Sequence, residues 1–164
     1  WLLLLMISAT FTGAIITHFE DSLSAYIVLV ASIPMLMDTG GNCGSQSSVT
    51  IIRGLSLHEI SFSDTLRVVW KEFRISILCG VTLAIVNFFK MLLLGQATSL
   101  VAMVISLTLI FTVIMSKMIG CLLPIAAKRI GFDPAVMASP IITTVVDAMS
   151  LLIYFEIARA ILKI

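Results

Sequence analysis

ISILCGVTLAIVNFFKMLLL, residues 75–94, is a run of twenty residues with one charged side chain, Lys90. A helix of about 20 mostly apolar residues spans the hydrocarbon of a bilayer, so this stretch alone predicts a membrane helix. The rest of the chain is of the same kind. Of its 164 residues, 60% are hydrophobic and 12% charged, and the mean hydropathy is +1.16. Soluble domains lie near 45–50% apolar and about 25% charged, so a soluble globular domain and a disordered chain are both excluded. Ten Lys and Arg against nine Asp and Glu leave a net charge of +1, with no basic stripe to hold nucleic acid. Cys43, Cys79 and Cys121 form no C-x-x-C pair and lie near no histidine, which argues against a disulfide framework or a zinc site.

Charged residues mark where such a chain surfaces. They predict five transmembrane helices, over about residues 2–17, 23–52, 68–94, 100–123 and 135–162, in an all-α membrane protein. Pro124 to Pro134 is expected to be a loop. The chain begins inside an apolar run, Trp1 to Met6, without the charged start or cleavage site of a signal peptide; an upstream region is therefore expected. Five crossings put the termini on opposite sides. Arg53, Arg67, Lys71, Arg74, Lys117, Lys128 and Arg129 flank one side, and Lys90, Arg159 and Lys163 the other. By the positive-inside rule the first group and the N-terminus are cytoplasmic and the C-terminus is outside.

Two features are polar at membrane depth. Asp147 lies in the middle of the fifth span, and an ionisable residue there costs about 2.5–3.5 kcal/mol on insertion scales. Ser139, Thr143, Asp147, Ser150 and Tyr154 are spaced four, four, three and four, so one stripe of a helix carries five polar groups, which suits a water-lined path. The alternative is a protonated Asp bonded to a neighbouring helix. The second feature is the run from Asp38 to Ser48 in the second span, with Gly40, Gly41 and Gly44, preceded by Pro34. Proline and glycine weaken a helix, and broken helices often build transporter sites. The alternative is close packing, since Gly40 and Gly44 have Gly-x-x-x-Gly spacing. Packing does not account for Asp38, Asn42 and Gln46 on one face, or for Asp38, Asn42 and Ser45 at i, i+4, i+7.

Gly40-Gly41-Asn42-x-Gly44-x-Gln46, the Arg53-Gly54-Leu55 exit, and Asp133-Pro134 followed by Pro140-x-x-Thr143-Thr144-x-x-Asp147 resemble the MgtE family of magnesium channels. The likeness covers the whole chain, residues 1–164, as a pore domain. It implies a homodimer in the inner membrane with a Mg2+-selective pore on the two-fold axis. It also implies upstream cytoplasmic sensor domains, an N domain and a CBS pair, that are not in this chain. Residue by residue, Asp147 is similar to the family's pore aspartate, and Asp133 to an acidic residue at the cytoplasmic mouth. Gly41 and Asn42 match the pore-lining part of the second span, and Glu72 a glutamate near the inner mouth. Two positions depart from the family pattern: Ser139 stands where an Asn is often seen, and Asp38 where a small residue is expected.

The residue types suit this cargo. Mg2+ takes oxygen ligands in an octahedron and gives up water reluctantly. A path for the hydrated or partly hydrated ion needs acceptors around a roomy site. One Asp147 per chain is sparse, and a two-fold axis doubles it. Asp38, at comparable depth, is a candidate for a second, outer cation position. Two other functions use the same residues: a Na+- or H+-coupled Mg2+ carrier, and an intramembrane aspartyl protease built on Asp38 and Asp147. Asp38-Thr39-Gly40 spells the soluble protease motif, but outside its β-rich context.

Overall fold

The computed structural model describes residues 2–19 and 26–163, without the side chains of residues 4 and 136–139. The described residues are helical and include no strand. Five long helices follow one another: α1 (Leu2–His18), α2 (Ile27–Ser56), α3 (Thr65–Leu93), α4 (Ser99–Arg129) and α5 (Pro134–Leu162). A single 3-10 turn, Phe62–Asp64, precedes α3. Four of the helices, α2 to α5, are long and apolar enough to cross a membrane; α1, with 17 residues, is shorter. The chain is an all-α membrane protein.

The helix ends follow from local chemistry. Asp133 caps α5, its Oδ1 accepting from Ala135 N at 2.9 Å, and Pro134 fills the first helical position, where no N–H is needed. Gly95 and Gly131 close α3 and α4 at φ +61° and +85°. After each, the next N–H reaches back to the helix, Gln96 to Met91 O at 3.0 Å and Phe132 to Ala127 O at 2.9 Å. A side chain at either glycine would meet the left-handed strain that glycine avoids. Lys128 Nζ donates to Leu55 O at 2.6 Å, placing a cation on the last carbonyls of α2.

Two expectations about these ends and interruptions are corrected. The fourth helix does not stop at Leu123 but runs through Pro124 to Arg129. Proline removes one backbone donor, and the carbonyl it strands is that of Gly120, yet the helix continues past it. Nor is α2 broken: Pro34 and the three glycines all lie within one continuous helix. Gly40 and Gly44 face α4 and α5. A Cβ on Gly40 would stand 2.9 Å from Thr112 Cγ2 and Val146 Cγ1, and one on Gly44 2.9 Å from Ile142 Cγ2. Close packing is what these two glycines serve. The expected start of the second span, residues 23–25, lies outside the described residues.

The core is built around α4, which packs against α2, α3 and α5, while α1 leans on α5. Ile105, Val104, Val113, Leu36, Leu151 and Phe155 are among its fully buried side chains. Tyr154 is buried as well, its hydroxyl donating to Leu29 O at 2.9 Å, which ties α5 to α2.

One polar junction joins three helices. Lys117 Nζ on α4 stands 2.9 Å from Glu72 Oε2 on α3, and Ser47 Oγ on α2 donates to the same oxygen at 2.7 Å. The glutamate and lysine side chains are 8% and 13% exposed. Lys117, close to the expected end of the fourth span at Leu123, would read as a snorkelling anchor, but it lies well inside α4 and is paired within the bundle. A hydrogen bond to a buried carboxylate contributes about 1–2 kcal/mol, so Ser47→Ala is expected to lower the Tm in detergent by a few degrees. An unchanged Tm would show that the serine contributes nothing to the junction.

Candidate ion-conducting groove

Asp38, Asn42 and Ser45 lie on the face of α2 turned away from α4, and Asp38 and Asn42 are exposed. This follows from the packing just described. With Gly40, Gly44, Ser47 and Ser48 buried against the bundle, residues offset by two positions in either direction must point outward. Across from them α5 presents Thr143 and Asp147. Together with Met37 and Gly41 these residues line an open groove of about 370 Å³. Gly41 keeps it wide, since a Cβ there would meet Thr143 Cγ2 at 3.6 Å.

Gly40 packs on Val146 and Gly44 on Ile142, so the antiparallel α2 and α5 bring Asp38 and Asp147 to about the same level of the groove. Among the described residues no cation comes within salt-bridge distance of either. Nor do any three His, Cys, Asp or Glu side chains among them converge to cage a metal ion. The described part of one chain thus presents an open groove with two carboxylates, not a closed coordination site.

The expected stripe on α5 divides. Thr143 and Asp147 face the groove, with the Thr143 hydroxyl donating to Pro140 O at 3.0 Å. Ser150 and Tyr154 turn into the bundle, both with 0% exposure. Ser150 shares the α5 face of Thr143 and Asp147, but at its level that face is covered by the bundle, with Tyr154 one turn on bonded to Leu29 O of α2, so Ser150 is buried and does not line this groove. Ser139 lies among the side chains outside the described residues. The Glu72 carboxylate, expected near an inner mouth, is held by Ser47 and Lys117 and does not line this groove. Asp133 sits exposed at the start of α5, one oxygen engaged in the cap. Asp133→Ser, which still caps, is expected to keep the wild-type Tm, while Asp133→Ala costs about 1 kcal/mol. Equal Tm values for the two would show the cap to be idle.

A polar face on α1 escaped the sequence reading. A second groove, of about 290 Å³, opens on the other flank of Asp147, and Ser8 and Thr12 of α1 line it with Gly13, Met37 and Thr144. The signal was a pair of hydroxyls at i and i+4 in an otherwise apolar span, too brief to stand out from ordinary helix packing.

Residues 33–157 match the family model described as "MgtE: Divalent cation transporter". The chain is similar to the magnesium transporter MgtE of Bacillus subtilis, with 38% identity over 98% of this chain and 35% of that protein. The magnesium transporter MgtE of Thermus thermophilus is 34% identical over 99% of this chain and 36% of its own length. The Enterococcus faecalis protein of the same name is 29% identical over 99% of the chain. The chain thus spans about a third of the length of the curated relatives it matches.

Proposed function

This chain belongs to the MgtE family of divalent cation transporters, and from that membership we propose that residues 1–164 form the pore domain of a Mg2+ channel. The open groove between α2 and α5, with two carboxylates and no cation among the described residues paired with them, carries the proposal. An ion that holds its water tightly needs room and acceptors more than it needs a cage. Asp147 attracts the dication, and Asn42, Ser45 and Thr143 supply oxygens to its water shell. Asp38, across the groove at about the same level, offers a second cation position, and Asp133 adds negative charge at the entrance to α5. The aspartyl protease alternative falls away with membership of a transporter family.

Two copies of the chain pair across this groove in the proposal, so that the pore runs along the two-fold axis. Pairing doubles the carboxylates from two to four, which balances more than one hydrated dication in transit. Leaving those charges in a groove open to lipid would be costly, and a second copy covers them. The five helices all cross the inner membrane, with the N-terminus cytoplasmic and the C-terminus outside. Cytoplasmic N and CBS sensor domains act on the pore in the full-length protein; the greater length of the relatives leaves room for them.

Cross-linking tests the pairing. Asn42 is exposed on the groove, so Asn42→Cys, in a background with Cys43, Cys79 and Cys121 replaced by Ala, is expected to give a covalent dimer with a short bismaleimide in native membranes. Monomer alone, with a cysteine on the α3 surface such as Leu78→Cys giving no less product, would place the axis elsewhere.

A further inference from the structure

Three cations stand on one face of α3. Arg67, Lys71 and Arg74 are spaced i, i+4, i+7, and all three are exposed. Among the described residues none of them has a carboxylate within ion-pair distance. With Trp70 they line an open pocket of about 530 Å³, to which Glu59 and Asp64 also contribute. Asp64 is already engaged, its Oδ2 accepting from Ser61 N at 3.0 Å. Glu72, on the same stretch of helix, is turned into the bundle and paired with Lys117. One free carboxylate, Glu59, thus faces three cations. Arg67 also sits in the first turn of α3, the positive end of the helix dipole, where a cation is disfavoured. The pocket is short of negative charge.

The same stripe of α3 continues through Leu78, Val81 and Ile85, which are 71%, 39% and 53% exposed. Residues 75–94 make about 30 Å of helix, the thickness of the hydrocarbon. Arg74 therefore marks its edge, and Lys71 and Arg67 lie in the headgroup layer beyond. Trp70 is exposed beside them, as aromatic side chains are at that level. A ligand on this face meets positive charge along the first turns and bare hydrocarbon surface below. A lipid has that form. An acidic protein surface does not, since it would leave the apolar half of the stripe unmatched.

We propose that Arg67, Lys71 and Arg74 bind an anionic lipid whose headgroup carries two phosphates joined through one glycerol, with its acyl chains along Leu78, Val81 and Ile85. The spread of the cations selects the second phosphate. Lys71 lies about 4.5 Å from Arg74 along the helix axis and about 6 Å from Arg67. One phosphate bridges Arg74 and Lys71, and the other pairs with Arg67. A lipid with a single phosphate leaves a cation unmatched. A choline headgroup leaves the same gap and sets its own positive charge against the patch. Basic pockets at this depth suit doubly charged headgroups in membrane proteins generally. The assignment rests on the membrane fold and not on which ion the protein carries.

Native mass spectrometry of the full-length protein tests it, with cardiolipin, phosphatidylglycerol, phosphatidylcholine and inorganic pyrophosphate as probes. Cardiolipin is expected to bind about tenfold more tightly than phosphatidylglycerol, as one further charge-assisted contact supplies, and phosphatidylcholine more weakly than either. The double variant Arg67→Gln with Lys71→Gln is expected to abolish the preference for cardiolipin, and Lys71→Arg to keep it. Lys90→Gln, at an exposed lysine near the other end of α3, is expected to leave it unchanged. The proposal is overturned if the double variant keeps the wild-type preference, if Lys90→Gln lowers it as far, or if a lipid with one phosphate binds as tightly as cardiolipin. Full-length protein that retains no cardiolipin would overturn it too, by showing that another part of the protein covers this face. Pyrophosphate binding as tightly as cardiolipin would overturn the membrane source, since the apolar half of the stripe would then contribute nothing.

Discussion

Asp147→Asn is expected to lower Mg2+ uptake by roughly 10- to 100-fold while the helix bundle stays folded. Asparagine keeps the volume and the planar shape of the side chain, and Asp147 makes no ion pair within the described chain that the change could break. What is lost is one negative charge per protomer facing the groove. At an effective dielectric near 20, a unit charge about 4 Å from another contributes about 4 kcal/mol; hydration and distance reduce that for an ion keeping its waters, and the stated range follows. Uptake by the full-length protein in a magnesium-auxotrophic strain, with the Tm measured in detergent alongside, gives the comparison. Wild-type growth at limiting Mg2+ would remove Asp147 from the ion path. A collapse of both uptake and Tm would instead make it a structural residue.

How much of this was legible beforehand differs between fold and site. The bilayer leaves few options for an apolar chain, so charge spacing alone places α3, α4 and α5 within a few residues at most of their ends. The exception is Pro124, which reads as a stop but lies buried inside α4, a helix that its packing against the rest of the bundle carries on to Arg129. Periodicity also reports which residues share a face. It groups Asp38 with Asn42 and Ser45, and these line one groove. It does not report what that face meets. The α5 stripe from Thr143 to Tyr154 stays on one face, but that face opens on the groove at Thr143 and Asp147 and is covered by the bundle at Ser150 and Tyr154. Glu72 and Lys117 are 45 residues apart in sequence, and no local pattern joins them. The same holds for Ser8 and Thr12, whose partner Asp147 lies at the far end of the chain.

Gly120→Ala is expected to destabilise the bundle by about 3 kcal/mol, at the upper end of what overpacking costs, and to close down transport with it. At Gly120 an added Cβ would run into the backbone of Gly44, whose carbonyl oxygen is the nearest atom and whose Cα would lie at 3.0 Å. A side chain in the way could rotate, but a helix backbone cannot. The only relief is for α4 and α2 to move apart. Gly44 has no slack to give, since Ser116 O lies 3.2 Å and Ile142 Cγ2 2.9 Å from where its own Cβ would stand. Moving α2 shifts Asp38 and Asn42 relative to Asp147, so the groove loses its shape as the packing does. Gly41→Ala is the control. It makes the same change in helix propensity on the same pair of packed helices, but its Cβ meets only Thr143 Cγ2, at an ordinary 3.6 Å. Its Tm is expected to equal or exceed the wild type, because alanine favours helix over glycine by about 1 kcal/mol. If Gly120→Ala melts no lower than Gly41→Ala, the two helices do not approach as closely as the glycines allow, and the groove is not held open by their contact.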